Sequence, residues 1–203
     1  MNVQELLFEM PKLINDVDFN LSDPKVNARV AVDLLQHGEL LEDLGDDRAL
    51  YQRGHRLGMV ANPARALCSC EYYVQYKEIM HKMIGHRAIS QIAVWRDDLS
   101  THAHGLAARI FWDHLLPIHG VMITDALQTK DGRRFWMNRI GEAYKRGLNV
   151  YYLNLVQSKG GVAPELLHLR TLAEFKTLSG EREFWGLAEL HERRKILIAE
   201  ITL

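Results

Sequence analysis

The sequence predicts a mixed α/β (α+β) fold. Residues 1–85 read as a mostly helical portion and residues 86–203 as an alternation of strand and helix, the two forming one compact unit. Three observations carry this expectation. Apolar residues recur at helical spacing through the first part. In the second part, short apolar runs bounded by Gly, Pro and Asp alternate with helical stripes. With 203 residues, 47% hydrophobic and 25% charged, the chain is long enough to bury a core without staples.

Each element has a local reason. Residues 1–18 place Leu6, Leu7, Met10, Leu13 and Ile14 at helical spacing, with Pro11 shortening the helix. In LSDPK, Ser22 or Asp23 serves as N-cap and Pro24 opens a helix that runs through Val26, Val30, Leu34 and Leu35 and ends at His37-Gly38. GELLEDLGDDR follows as a charged stretch. NPARALCSCEYYVQYKEIMHKMIG predicts the longest helix, capped by Asn62, begun by Pro63 and ended by Gly85. ISQIAVWRDD alternates as a strand does, and STHAHGLAARIFWDHLLP predicts a helix stopped by Pro117. GVMITDA is a buried strand ended by Asp125. Residues 133–146 form a helix with Trp136, Ile140, Ala143 and Tyr144 on one stripe and Gly147 as its stop. LNVYYLNLV is a strand. PELLHLRTLAEFKTL predicts a helix begun by Pro164, with Gly180 past its end, and RKILIAEITL closes the chain as a strand.

Composition narrows the function classes. The net charge is −1, so nothing overall argues for nucleic acid or an anionic membrane as partner. The N-terminus lacks the basic start and continuous apolar run of a signal peptide. No stretch reaches the ~18 apolar residues of a membrane span. Both points predict a cytoplasmic chain without a membrane partner. Cys68 and Cys70 are spaced C-x-C, too close for an unstrained disulfide and without a second pair for zinc, so they read as free thiols. Of the ten histidines, His102/His104, His81/His86 and His114/His119 do not have the i, i+4 spacing of a zinc helix, and no metal site is expected. The tyrosines of EYYVQYKEIMHKM read as core-facing residues rather than a base-stacking surface. G-x-S-x-G is absent.

The chemistry concentrates in LQTKDGRRFWMNRIGEAYKRGLNVYYLNLV, residues 127–156. A strand, a Gly-containing basic loop and a helix start form the arrangement that binds phosphate. The first helical N–H groups lack internal partners and carry partial positive charge, and Gly allows close approach. Gln128, Thr129, Lys130, Asp131, Gly132, Arg133 and Arg134 are the candidate cofactor-binding residues. The P-loop and three-glycine fingerprints are absent. The bland alternatives are a solvated turn with Asp131 capping the helix, or an Asp-Gly hairpin.

The order of elements from Val121 to the C-terminus resembles the cofactor-binding half of a GNAT-type acyl-CoA N-acyltransferase. In that superfamily a strand enters a [QR]-x-x-G-x-[GA] loop whose amides hold the CoA pyrophosphate. Antiparallel strands precede the loop, and its helix ends at a Gly before a splayed strand. VMITD resembles the entering strand, LQTKDGRR the loop, RRFWMNRIGEAYKRG the helix and NVYYLNLV the splayed strand. LHLRTLAEFKTLSGERE resembles the family's next helix. Gln128 and Gly132 are four apart rather than three, Arg134 replaces a small residue, and Phe175 stands where many members have an acidic Tyr. The resemblance implies a mixed sheet with a GNAT-like C-terminal half, acetyl-CoA or another acyl-CoA as cofactor, and a small-molecule or protein amine as acceptor. Tyr152, Asp125 and His119 are its candidate acid–base groups. The alternative is a GNAT-like binding or structural protein without catalysis. Such a protein could be a virus- or mobile-element-encoded accessory protein that meets a partner through its N-terminal helices.

Overall fold

The computed structural model describes residues 20–64, 67–124, 130–155, 164–181 and 194–203. They form a mixed α/β fold with nine strands among the described residues. Two compact units interleave along the chain: one runs to Lys77 and resumes over Gln91–Ile110, the other comprises Glu78–Ser90 and Phe111–Leu203.

In the first unit, helix α1 spans Pro24–His37 as the sequence predicts. The Asp23 carboxylate accepts from the Lys25 N–H at 2.8 Å and the Val26 N–H at 3.3 Å, and Pro24 fills the position where no N–H is needed. Strands β1 (Glu39–Gly45) and β2 (Arg48–Arg53) follow. They are joined through Asp46 and Asp47, both left-handed with φ of 51° and 55°, as a two-residue hairpin turn demands. β3 (Arg56–Ala61) and β4 (Ser69–Met80) continue the antiparallel series, with β5 (Arg87–Arg96) beside β4. α1 packs on β2 and β3. Leu21, Ala31 and Leu34 meet Val60, Cys70 and Tyr73 in a shared apolar cluster.

The second portion of the chain contains α2 (Leu106–Arg109), a π-helical turn (Ile110–Leu115) and α3 (Leu116–His119) as one helical run. It continues with β6 (Val121–Ile123), α4 (Lys130–Lys145), β7 (Asn149–Asn154), β8 (Glu165–Leu169), α5 (Leu172–Glu181) and β9 (Arg194–Ala199). In the second unit β5 pairs with β6 in parallel through Ile89 and Met122, β9 lies antiparallel between β6 and β7, and β8 flanks β7. One face of this sheet buries Ile84, Ala88, Val121, Ile123, Tyr151, Leu153, Leu197 and Ala199 together.

Four expectations are corrected. The portion before residue 85 is not mostly helical: among its described residues α1 is followed by four strands. The expected long helix from Asn62 to Gly85 is a turn and then β4. Tyr72, Val74 and Tyr76 recur every second residue, the period of a strand, and aromatic and β-branched side chains fit a pleated surface. Pro117 does not stop its helix. The π-helical turn shifts the hydrogen-bond register ahead of it, so Pro117 falls in the first turn of α3. Pro164 precedes a strand, not a helix. α5 begins later, where Thr171 Oγ1 accepts from the Glu174 N–H at 3.1 Å and Glu174 reaches back to the Arg170 N–H at 2.7 Å. The helix expected over residues 1–18 lies outside the described residues.

Candidate functional site

The residues singled out in the sequence separate into three groups. Asp125, Gln128 and Thr129 lie outside the described residues. Lys130 and Asp131 contribute backbone to the first turn of α4, and Gly132, Arg133 and Arg134 follow in it, the two arginines exposed. Tyr152 is fully buried at the middle of β7, opposite Leu167 on β8 and Ile196 on β9. His119 ends α3 ahead of β6. Along the ladder, Tyr152 is level with Ile196, whose carbonyl takes the Thr124 N–H just beyond β6, whereas His119 precedes the opposite end of that strand. The two side chains are therefore not brought together. Nor do β6 and β7 border a groove, because β9 is hydrogen-bonded to both.

A second strand–loop–helix segment lies earlier, in a stretch read from sequence as plain helix. After Arg96 closes β5, residues Asp97–Gly105 form a loop. Gly105 adopts φ +78°, and α2 starts at Leu106 without a side-chain cap. A left-handed residue there suits Gly, which has no Cβ to clash. The loop runs into α2 as His102-Ala103-His104-Gly105-Leu106-Ala107, with His102 and His104 exposed and Ala107 half-buried. Its turns are closed by Ser100 N–H to the Asp97 carbonyl at 3.1 Å and Leu99 N–H to the Asp97 carboxylate at 2.9 Å. Arg109, at the end of α2, pairs with Glu42 of β1.

Behind this loop is the most connected buried carboxylate among the described residues. Val60 pairs with Cys70 and Met59 with Tyr72, so Glu71 is the extra residue of a bulge in β4. Its side chain accepts a forked pair from Arg48, Nε and Nη2 each at 2.9 Å, and the Ser100 hydroxyl at 2.6 Å. Its carbonyl takes the Asp97 N–H at 2.9 Å. Arg48 also donates to the Asp46 carbonyl at 2.6 Å. Burial, which leaves Glu71 9% exposed, pushes its carboxyl up. The bonds from Arg48 and Ser100 and the charges of Arg48 and His102 outweigh that and hold it below the usual range. The same pairing raises Arg48.

Glu71, Arg48 and Ser100 were not found from sequence, because the bulge that gathers them has no short-range signature. The H-x-x-G-x-A spacing was visible, but a helix read through Gly105 hid it. Metal-ligand clusters of three or more His, Cys, Asp or Glu are absent among the described residues. No described helix is long and apolar enough to cross a membrane. Comparison with family models, with curated proteins and with solved structures finds no match.

Proposed function

We propose that the chain is a GNAT-like N-acyltransferase that moves an acyl group, most simply acetyl, from acyl-CoA to an amine on a small molecule or a protein. In this reading the pyrophosphate cradle is the Asp97–Gly105 loop with the first turn of α2, in place of Gln128–Arg134. The order of elements carries it. Antiparallel strands β1–β4 with β5 beside β4 lead into the loop, a helical run leaves it, and β6 returns parallel to β5.

Of the superfamily pattern [QR]-x-x-G-x-[GA], Gly105 and Ala107 match, while His102 stands where the pattern has Gln or Arg, at the spacing of three that Gln128 and Gly132 lack. Gly105 and Ala107 leave room for a pyrophosphate against the amides, where the helix N-terminus favours negative charge. The exposed imidazoles of His102 and His104 add N–H donors. In the reaction the amine nitrogen bonds to the thioester carbon and the C–S bond breaks. The amine proton passes to a base, and the thiolate leaves as CoA thiol once protonated. Backbone N–H groups aimed at the carbonyl oxygen stabilise the charge that develops there.

A second reading, a GNAT-like binding or structural protein without catalysis, is favoured by one observation: Tyr152, one of the three candidate acid–base groups, is sealed in the core. It covers the case of a virus- or mobile-element-encoded accessory protein.

Thermal unfolding with acetyl-CoA tests the proposal. Ligand at about 100 times its dissociation constant stabilises a fold by about 2.7 kcal/mol. The upward shift is expected in the wild type and in Gly132→Glu, and is expected to vanish in Ala107→Glu, where a carboxylate meets the pyrophosphate. A shift lost only in Gly132→Glu returns the cradle to α4. No shift in the wild type rejects the acyl-CoA reading. Binding without amine acetylation selects the second reading.

A further inference from the structure

Glu71 is a buried carboxylate at the β4 bulge, and its bonds define its task. We infer that Glu71 is a positioning residue: through Ser100 and the Asp97 amide it fixes the loop that precedes α2, so ligand affinity there depends on a side chain that touches no ligand. The inference rests on the acyl-CoA reading for its ligand, and on the loop's own geometry for the rest.

Three observations carry it. First, both carboxylate oxygens are occupied, one by Arg48 Nη2 and the other by Arg48 Nε and the Ser100 hydroxyl, which leaves little capacity to take a proton from a substrate. Second, the contacts join three segments at one bulged residue. The β1–β2 turn and β2 supply Arg48 and the Asp46 carbonyl that anchors it, β4 supplies Glu71, and the loop supplies Asp97 and Ser100. A bulge re-aims a side chain at a fixed place on a rigid sheet, so the loop is referenced to the sheet. Third, the loop holds itself less firmly as it nears the helix. His104 N–H reaches the Thr101 carbonyl at 3.3 Å and Leu106 N–H the Ala103 carbonyl at 3.4 Å, long for such bonds. The 2.6 Å Ser100–Glu71 bond is short and charge-assisted, and Ser100 is buried.

Ser100→Ala removes one hydroxyl and leaves the Arg48–Glu71 pair intact. Amide exchange at Leu99–Ala107 and the dissociation constant of acetyl-CoA by calorimetry are measured for the wild type, Ser100→Ala and Ser100→Thr. Losing one hydrogen bond to a charged group is expected to speed exchange in the loop and weaken acetyl-CoA by about tenfold each. Exchange at Leu50 and Val60 stays unchanged, and Ser100→Thr restores both loop values. Wild-type loop exchange in Ser100→Ala overturns the inference. So does an equal loss of protection at Leu50 and Val60, which would make the network a general stabiliser. If the wild type binds no acetyl-CoA, the acyl-CoA reading fails, while the exchange comparison still decides whether Ser100 and Glu71 fix the loop. If the wild type binds and Ser100→Ala binds equally well, the positioning role fails and the acyl-CoA reading stands.

Discussion

Asn27 illustrates how much a single buried amide can fix. Its Nδ2 donates to the Leu21 carbonyl at 3.1 Å and the Cys70 carbonyl at 2.8 Å, and its Oδ1 accepts from the Cys70 N–H at 2.7 Å. Donors and acceptor are matched, and the side chain ties α1 to the edge of the β4 bulge. Asn27→Ala strands buried backbone groups, so denaturant unfolding is expected to show a loss of about 2–3 kcal/mol. Asn27→Asp would set a carboxylate against two carbonyls and cost more. A loss under about 0.5 kcal/mol would mean that solvent reaches Cys70. Glu71 carries the pH dependence. Its carboxyl titrates below its unfolded value, so the stability it contributes is complete above the unfolded carboxylate range, near pH 4.3 to 5, and is lost as pH falls through the folded value. The groups that act on it are Arg48, Ser100 and His102, and Asp46 and Asp47 act on Arg48 in turn. In Glu71→Gln that acid-limb contribution should disappear, and stability at pH 7 should fall by about 2 kcal/mol as Arg48 loses its partner. An unchanged acid limb would place the charged form's stabilisation elsewhere.

Between elements, α1 packs against β3 at a glycine. A Cβ on Gly58 would stand 2.4 Å from Leu34 Cδ1 and 3.4 Å from the Tyr72 carbonyl oxygen. Leu34 is itself sealed in the core, so it has little room to yield. Gly58→Ala is expected to cost about 1–3 kcal/mol, and Leu34→Ala to cost less in that background than in the wild type, because the truncation relieves the clash. The double-mutant cycle reads this directly, and strict additivity would sink the claim. Legibility from sequence followed the same division between local and non-local causes. α1 was readable because Asp23, Pro24 and Gly38 are local signals. β7 and β9 were readable because their apolar runs are short and bounded. β1, β2 and β4 were not. ELLEDLG is held as a strand by pairing across an Asp-Asp turn, and SCEYYVQYKEIM has enough apolar residues to imitate a helical stripe. At the candidate site, His102, Gly105 and Ala107 were present as a spacing. Glu71, Arg48 and Ser100 meet only through a bulge and three separate segments, which no window of sequence contains.

At the scale of the whole chain, the long-range pairings are unevenly placed. In the first unit successive strands pair with their sequence neighbours, β1 with β2, β2 with β3 and β3 with β4. In the second, β9 enters last in sequence and lies between β6 and β7, so that Val121 pairs with Ala199. Bringing such distant residues together costs loop-closure entropy before contacts repay it. The second unit should therefore be the more sensitive to damage in β9. Leu197 is fully buried and belongs to the cluster on one face of that sheet. Leu197→Asp forces an unpaired carboxylate into it, which costs several kcal/mol. Amide exchange on the full chain is expected to show lost protection at β6, β7 and β8, with protection kept at β2 and β3, whose core comes from α1 and β4. Equal loss in both regions would show that the two units unfold as one cooperative body, and the division between them would then describe contacts rather than stability.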